Sequence, residues 1–390
     1  MYTFKTTPRL SNSRTTHGIR ANPKLMARLL AIDQLLLEFE REQSILIAGQ
    51  PQEEEENSIP PGQRKFYDPI DLELRKKWAR TLSSDTRRTI EENLKVAENL
   101  GPIRKVATAP SPQAFDQLLV DYPNFSEAIQ LIQRRMTLCR CAPEQIIKLP
   151  PILLSGPPGV GKTAFCRCVA KILGIAFSEI DVATMTASFS VTGLDAGYTS
   201  CRPGLIWNTL NKGDGNMSCL ILLDEIDKNC RTNGESYLGF LYSMLERSSA
   251  QRFQDGALLL PVDASHLMWI ATCNDTAGVD SAILSRFEVI NVSQPSDVQM
   301  QSVVKSIHRD LFATSEWACA FDTHMPSTII QTLCGQSPRQ IRKALEAAYA
   351  NSAQCGRRTL TVNDLKPLGS GSEDSRQRRS IGFINTNNYS

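Results

Sequence analysis

Residues 156–163 read Gly156-Pro157-Pro158-Gly159-Val160-Gly161-Lys162-Thr163, which is the most informative segment of the sequence. It fills every fixed position of the phosphate-binding pattern G-x-x-x-x-G-K-[S/T], the P-loop. The apolar run Ile152–Leu154 before it predicts a short buried strand. The apolar positions after it have the spacing of one helix face: Phe165, Val169, Ile172 and Leu173. A strand, a glycine-rich loop and a helix in this order predict a phosphate-binding site rather than an ordinary Gly-Pro turn.

The residue types of this loop suit a triphosphate. Glycines let backbone N–H groups converge on phosphate oxygens without a clash from Cβ, and the start of a helix adds a favourable dipole. In this pattern the Lys162 ammonium is expected to contact the β- and γ-phosphates of ATP, and the Thr163 hydroxyl is expected to bind Mg²⁺. Residues 156–163 are therefore predicted to bind ATP together with Mg²⁺.

A second motif, downstream of the P-loop, reads Leu220-Ile221-Leu222-Leu223-Asp224-Glu225. An apolar run that ends in adjacent carboxylates predicts a buried strand with both carboxylates at its carboxyl end, where ligands bind in parallel sheets. Asp224 is expected to hold Mg²⁺ or its water, and Glu225 is expected to accept a proton from the attacking water. The two motifs together, at their separation along the chain, predict ATP hydrolysis.

The wider pattern predicts an α/β fold with a parallel sheet sandwiched by helices, because short apolar strands alternate with helical stretches from about Phe115 to about Val292. A purely helical pattern follows and predicts a small lid domain. The sequence is thus divided into four regions: an accessory, partly helical region with mobile linkers at 1–110, a large ATPase domain at 111–294, a helical lid at 295–366 and a disordered tail at 367–390.

Helical spacing also marks segments outside the sheet. In the accessory region, helices are predicted at Asn22–Ile47 and from about Asp71 to Leu100, with a mobile linker at Gln50–Gly62 between them. In the lid, three helices with proline-containing start signals are predicted: Val298–Leu311, Pro326–Leu333 and Pro338–Ala350.

Composition narrows the classes of function. The 390 residues include 43 Lys+Arg and 41 Asp+Glu, so the net charge of +2 provides no general field for nucleic acid or anionic lipid. The longest apolar runs are far shorter than the roughly 18 residues of a membrane span, so no membrane partner is expected. Eleven cysteines without a C-x-x-C pair suit a reducing compartment, and a cytoplasmic location is expected. The acid-free segment Met1–Lys24 weakly resembles an organelle transit peptide, but a solvated tail is the favoured interpretation.

With the two motifs in place, the chain resembles AAA+ ATPases, and further elements match in order. Met268–Asn274 resembles the sensor 1 strand, which implies that Asn274 orients the water between Glu225 and the γ-phosphate. Ser337–Arg342 resembles the sensor 2 helix of the lid, which implies that Arg339 reaches back to the γ-phosphate.

Ile283–Ile290 resembles the segment that carries the arginine finger of AAA+ proteins. The resemblance implies that Arg286 points into the nucleotide site of a neighbouring subunit, where fixed cations neutralise charge on the γ-phosphate. Such a residue is useful only at a subunit boundary, so a homo-oligomer is expected, most often a hexameric ring in AAA+ proteins. For Arg286 and Arg339 alike, the alternative is an ordinary surface or ion-paired arginine.

Among AAA+ proteins, the chain most resembles the ATPase module of Lon proteases, over about Phe125 to Leu365. Gly197–Ile206 is similar to the Lon segment in which a pore-loop aromatic precedes Pro-Gly. Arg252–Asp255 and Pro261–Ser265 are similar to the stretch that leads into sensor 1. Two departures stand out: Tyr198-Thr199-Ser200 replaces the usual aromatic-aliphatic-Gly triplet, and the sequence ends at Ser390, shortly after Leu365. The Lon protease domain does not fit into that length, so proteolysis by this chain alone is not expected.

Three functions are open at this point. The favoured one is a ring that couples ATP hydrolysis to moving or unfolding a protein client, as a chaperone does. Tyr198 would grip the polypeptide with its flat ring, although local packing is the alternative for this residue. A loader or remodeller of nucleic acid is less favoured because the net charge is nearly neutral, although Met1–Lys24 and the tail residues Arg376, Arg378 and Arg379 could form local contacts. The third is a nucleotide-switched scaffold, and the complete set of motif residues disfavours it.

Overall fold

The structure is a computed structural model that describes residues 59–198, 200–228, 231–232 and 235–365. The predicted helix at Asn22–Ile47, most of the predicted linker at Gln50–Gly62 and the predicted tail at 367–390 lie outside the described residues. The described residues belong to one compact unit that begins at Ile59. Within them, no helix combines the length and the apolar character needed to cross a membrane.

The described residues form strands β1 Gln63–Lys65, β2 Ile103–Lys105, β3 Ile152–Ser155, β4 Ala176–Asp181, β5 Cys219–Asp224, β6 Arg231–Thr232, β7 Glu235–Ser236, β8 Phe253–Gln254, β9 Pro261–Val262, β10 Leu267–Cys273 and β11 Glu288–Asn291. Five of them build the central sheet in the spatial order β11-β3-β10-β5-β4, and all neighbours run parallel. Ile270 of β10 lies opposite Ile152 of β3 and Leu222 of β5. The predicted parallel sheet is therefore confirmed.

The described residues form helices α1 Pro69–Ala79, α2 Ser84–Leu100, α3 Asp116–Asp121, α4 Ser126–Cys141, α5 Lys162–Leu173, α6 Phe189–Thr192, α7 Leu205–Leu210, α8 Leu241–Met244, α9 Arg247–Ala250, α10 Ser281–Leu284, α11 Asp297–Thr314, α12 Ser327–Leu333 and α13 Pro338–Gln354. Two of the predicted lid helices begin with the expected capping residues. Ser296 before α11 and Ser337 before α13 each form a reciprocal capping box with the glutamine three residues later. Three helices thus stand where the sequence predicts a helical lid.

Hydrophobic cores cover both faces of the sheet, and this explains why its strands are apolar at every position. In β5, Ile221 and Leu223 belong to a first core on one face, while Leu220 and Leu222 belong to a second core on the other. All four side chains are fully buried. A strand buried on both faces appears in the sequence as a continuous apolar run, which is the pattern that predicted it.

Part of the predicted accessory region shares the first core. Phe66, which precedes α1, and Leu94 of α2 are buried in the same cluster as Ile221 of the sheet. Arg104 of β2 is also buried, with its guanidinium carbon 3.6 Å from the centroid of the Phe66 ring. Its Nη1 donates a hydrogen bond to the carbonyl oxygen of Leu210 in α7 (2.8 Å). The chain from Phe66 to Arg104 is therefore packed onto the sheet, and the domain boundary at residue 110 stays a prediction.

The last three helices have a core of their own. Val304 of α11, Ile329 of α12 and Leu345 of α13 are all fully buried in it. Arg309 of α11 forms an ion pair with Asp121 of α3. This pair joins the helical segment to the part of the chain that leads into the P-loop.

Candidate active site

The P-loop between β3 and α5 has a backbone that glycine adopts most readily. Gly159 and Gly161 have φ angles of +82° and +102°, in the left-handed region, where a side chain would be strained. Gly156 is packed so closely that a Cβ on it would lie 2.1 Å from the carbonyl oxygen of Val292. The three glycines of the motif therefore allow the tight curve between the sheet and the helix.

The start of α5 is open to a ligand. None of the described side chains caps the first turn of this 12-residue helix, which begins after Gly161. Unpaired N–H groups and the positive end of the helix dipole suit an anion. Val160 is buried in the second core, whereas Pro158 and Gly159 are exposed. The Val160 side chain thus fixes the loop to the sheet while the outer part of the loop faces solvent.

Lys162 is a buried cation with no carboxylate in ion-pair contact among the described residues. Only 9% of the residue is exposed. Its Nζ donates hydrogen bonds to the carbonyl oxygens of Gly156 (2.5 Å) and Pro157 (3.1 Å) and to Oδ1 of Asn274 (3.3 Å). Burial lowers the pKa of this ammonium below its ordinary value. An ammonium held only by neutral oxygens is well placed to exchange them for the charged oxygens of a phosphate.

The Asp224 carboxylate at the end of β5 lies between two hydroxyl groups. Thr163 of α5 donates a hydrogen bond from Oγ1 to Asp224 Oδ2 (2.9 Å). Thr272 of β10 donates from its Oγ1 to the other carboxylate oxygen of Asp224. The same Thr272 oxygen accepts a hydrogen bond from the backbone N–H of Glu225 (3.0 Å). These groups meet because β5 and β10 are parallel neighbours, so that their carboxyl ends lie at the same edge of the sheet.

Glu225 has an unusual backbone conformation. Its φ angle is +57°, in the left-handed region that few residues with a side chain adopt. Such strain persists only where the surroundings hold it, and the hydrogen bond from Glu225 N–H to Thr272 is one such restraint. The side chain is exposed. The predicted general base therefore stands next to Asp224 with its carboxylate accessible to water.

The oxygens at this edge of the sheet suit a magnesium ion. Mg²⁺ prefers oxygen ligands and is usually bound by one or two protein groups together with phosphate oxygens and water. The Thr163 hydroxyl and the Asp224 carboxylate are already in contact, and Asn274, which directly follows β10, contacts Lys162. The structure thus brings together the predicted residues of both motifs and of sensor 1.

Two residues of this region were not predicted from the sequence. Thr272 is completely buried within the otherwise apolar β10. Because a buried hydroxyl needs hydrogen-bond partners, a threonine within this apolar run of the sequence could have indicated a hydrogen-bonding role. Tyr122 lies against the P-loop, with its Cε1 3.8 Å from the position of a Cβ on Gly161. Its hydroxyl is 3.4 Å from Cys168 Sγ, and burial raises its pKa. Nothing in the sequence beyond its aromatic type pointed to Tyr122.

Arg286 lies at the surface just after α10. Its Nη1 donates a hydrogen bond to the carbonyl oxygen of Ala282 (2.6 Å), and its guanidinium carbon is 5.2 Å from the centroid of the Tyr242 ring. No carboxylate among the described residues forms an ion pair with it. Arg286 is therefore an exposed cation supported by a helix end and an aromatic ring, and its action on a neighbouring subunit stays a prediction.

Arg339 and Tyr198 are exposed as well. Arg339 lies in the first turn of α13. This end of α13 adjoins the P-loop, because a Cβ on Gly159 would lie 3.9 Å from the Cβ of Ser337. Tyr198 lies on the loop between α6 and α7 and is 61% exposed. The predicted roles of Arg339 on phosphate and of Tyr198 on a client stay predictions.

Comparison with known proteins agrees with the site. Residues 152–294 match the family described as ATPase family associated with various cellular activities (AAA). The peroxisomal Lon protease homolog 2 of Eremothecium gossypii is 36% identical over 154 residues, which are 37% of this chain and 15% of that protein. The peroxisomal Lon protease homolog 2 of Pichia angusta is 30% identical over 271 residues, which are 63% of this chain and 28% of that protein.

The chain therefore spans less than a third of the length of these relatives. Among solved structures, the Thermotoga maritima RuvB Holliday junction branch migration motor aligns with a TM-score of 0.41 and 12% identity, over 61% of this chain and 66% of that one. A structural likeness this remote supports no conclusion about function. The sequence matches and the two motifs agree: residues 152–294 match the AAA ATPase family, and the chain is similar to part of the Lon proteases.

Proposed function

We propose that this protein hydrolyses ATP with Mg²⁺ at the boundary between identical subunits of a ring, and that the cycle moves or unfolds a protein client. One observation carries the proposal: Lys162 contacts Asn274, while Asp224 accepts hydrogen bonds from Thr163 and from Thr272, so the two motifs meet at one edge of the sheet. The side chains proposed to contact the phosphates and Mg²⁺ are therefore held before a nucleotide arrives, and the Glu225 side chain next to them is exposed to water.

The P-loop residues bind and orient the triphosphate. Its backbone N–H groups donate to the phosphate oxygens, and the Lys162 ammonium exchanges the carbonyl oxygens of Gly156 and Pro157 for the β- and γ-phosphates. Mg²⁺, held by Thr163 and Asp224, neutralises charge on the same phosphates when it is bound. The outcome is a triphosphate fixed in the orientation that attack on the γ-phosphorus requires.

The carboxylate of Glu225 acts as the general base. It accepts a proton from the attacking water while the bond between the γ-phosphorus and the bridging oxygen breaks, which gives ADP and phosphate. Thr272 holds the Glu225 backbone through its hydroxyl, and the Asn274 amide orients the water. Thr272 therefore couples the position of the base to the position of Asp224.

The remaining cations act on the same phosphates from other directions. Arg339 reaches from the first turn of α13, which adjoins the P-loop. Arg286 is exposed and has no carboxylate partner among the described residues, which suits a cation that completes the site of the next subunit. A homo-oligomeric ring, most often a hexamer in this family, follows from that role.

The client-binding residue in this proposal is Tyr198, and the experiment that tests it is a substitution. Tyr198→Ala is expected to leave basal ATP hydrolysis within about twofold of the unmodified protein, because the residue lies outside the cluster around Asp224. Stimulation of ATP hydrolysis by casein, an unfolded protein, should be lost. Tyr198→Phe keeps the flat ring and should keep the stimulation. Unchanged stimulation in Tyr198→Ala would refute the client-binding role.

A further inference from the structure

The loop that carries Tyr198 is closed at its base. We call residues 194–202, of which the structure describes 194–198 and 200–202, the Tyr198 loop. Its first and last residues pair, since the N–H of Leu194 donates a hydrogen bond to the carbonyl oxygen of Arg202 (2.9 Å). Gly193 precedes the loop with a φ angle of +93°, and Gly204 lies directly before α7. The direction in which Tyr198 projects thus depends on how this base is held.

A buried carboxylate holds the base from outside the loop. Asp255, between β8 and β9, is 0% exposed. Its Oδ2 accepts a hydrogen bond from the N–H of Gly204 (2.7 Å), and its Oδ1 accepts one from the N–H of Ala257 (2.9 Å). Among the described residues, no Lys or Arg forms an ion pair with it. The charge is therefore stabilised by backbone N–H groups, one of which belongs to Gly204, two residues after the end of the loop.

Three chain segments approach one another at Asp255 more closely than any side chain would allow. A Cβ on Gly193 would lie 2.2 Å from Asp255 Oδ1, and a Cβ on Gly204 would lie 2.3 Å from the nitrogen of Gly193. The N–H of Gly256 also donates a hydrogen bond to the carbonyl oxygen of Thr192 (2.7 Å). The start of the loop, its end and the turn at Asp255 thus form one closely packed unit.

The burial of this carboxylate opposes folding at neutral pH. Burial raises the pKa of Asp255 to about 6, although hydrogen bonds from the backbone work in the other direction. An apolar side chain would fill the same space without this cost, but it could not accept the Gly204 N–H. The acceptor function is therefore the property that distinguishes aspartate here from a residue that merely fills the core.

We propose that Asp255 is the positioning residue of the Tyr198 loop: by accepting the Gly204 N–H, it fixes the end of the loop against its start, so that Tyr198 projects from a rigid base. The segment that carries Asp255 continues through β9 into β10, which contains Thr272 and is followed directly by Asn274 of the candidate active site. The use of Tyr198 on a polypeptide rests on the proposed function, whereas the restraint on the loop does not.

The test is Asp255→Asn in the full chain. Asparagine has nearly the same size but only one acceptor oxygen, so either Gly204 or Ala257 loses its acceptor in any orientation of the amide. Hydrogen–deuterium exchange of the peptide that covers residues 194–204, without a client, is expected to become about tenfold faster, the effect of one lost hydrogen bond to a charged group. Exchange in peptides that cover residues 156–163 and 219–225 should not change. Basal ATP hydrolysis should stay within about twofold, and stimulation by casein should fall.

Asp263→Asn is the matched control. Asp263 lies just beyond β9, and its Oδ1 accepts a hydrogen bond from the N–H of Ser265 (2.8 Å), so the chemistry is similar. Because that hydrogen bond stays outside the Tyr198 loop, the control should leave exchange in the loop unchanged.

The outcomes separate this proposal from the proposed function. Unchanged loop exchange both in Asp255→Asn and in Asp255→Ala, which lacks both acceptor oxygens, or a rise that is equal throughout the chain, would overturn the positioning role. If loop exchange is faster in Asp255→Asn but casein does not stimulate even the unmodified protein, the positioning role of Asp255 is supported and the client-binding role of Tyr198 is rejected. If Asp255→Asn does not fold, exchange in the unmodified protein decides: the Gly204 amide should be much slower than the amides beside Tyr198, and equal rates would overturn the proposal.

Discussion

Lys162 and Arg286 are both cations expected to act on the γ-phosphate of ATP, yet the protein holds them in different ways. Lys162 is 9% exposed, and its ammonium contacts three oxygens of its own chain. Arg286 is exposed and rests on the end of its own helix and on the ring of Tyr242. A side chain that binds the nucleotide of its own chain can be held in position by burial before the nucleotide binds. A group that serves a neighbouring chain must stay at the surface until that chain arrives.

The largest effect is expected from Lys162→Ala. The variant loses the contacts to two phosphates, and each charge-assisted hydrogen bond contributes about 1.5–3 kcal/mol, so ATP affinity should fall about 10³-fold and turnover should disappear. Binding of a fluorescent ATP analogue and phosphate release measure the two effects. Lys171→Ala, an exposed position in the last turn of the same helix, is the control and should behave as the unmodified protein. Retained nucleotide affinity in Lys162→Ala would show that the P-loop assignment is wrong.

Arg286→Ala should affect turnover but not binding. Loss of a phosphate-clamping arginine costs on the order of 10³-fold in rate, or roughly 4 kcal/mol. Removal of an exposed arginine changes the free energy of unfolding by only about 0.5 kcal/mol. Steady-state ATP hydrolysis, nucleotide affinity and thermal unfolding together distinguish a loss of catalytic rate from a loss of folding stability. Arg88→Ala on the exposed face of α2 is the control. Equal ATPase activities of the two variants would show that Arg286 does not take part in ATP hydrolysis.

Thr272→Val should have an intermediate effect, because Thr272 touches Asp224 and Glu225 but is not expected to touch the nucleotide. Loss of a group that orients such residues typically costs about 10- to 100-fold in activity. The decrease is expected in kcat with little change in the KM for ATP, since the P-loop is intact. Thr272→Ser keeps the hydroxyl and should retain most of the activity. Equal losses in both variants would assign the effect to packing instead of hydrogen bonding.

The smallest effect concerns stability and its dependence on pH. The folded-state pKa of Asp255 is raised to about 6 from an ordinary value of 3.8, so the folded protein binds more protons than the unfolded chain between these values. The contribution of Asp255 to the free energy of unfolding therefore falls as pH rises from about 4 to about 6. Urea unfolding of the unmodified protein and of Asp255→Asn should show a stability difference that changes in this window. A difference independent of pH would contradict the raised pKa.

The contrast between buried and exposed cations also explains what the sequence could predict. Lys162 and Asp224 lie where expected, because their motifs combine local chain geometry with a continuous apolar strand. Thr272 was not predicted, because its role depends on β10 lying beside β5, and that spatial order follows from the packing of distant segments. The same holds for Arg104, because nothing in the sequence indicates that this charged residue is buried against Phe66.

A mixture of two inactive variants tests whether one subunit completes the nucleotide site of another. Glu225→Gln lacks the base but keeps Arg286, while Arg286→Ala keeps the base, so co-expressed chains should form some boundaries that contain both groups. Random assembly makes roughly a quarter of the boundaries complete. ATP hydrolysis by the mixed protein is expected to approach this fraction of the unmodified activity. Hydrolysis no greater than that of the two variants assembled separately would contradict it.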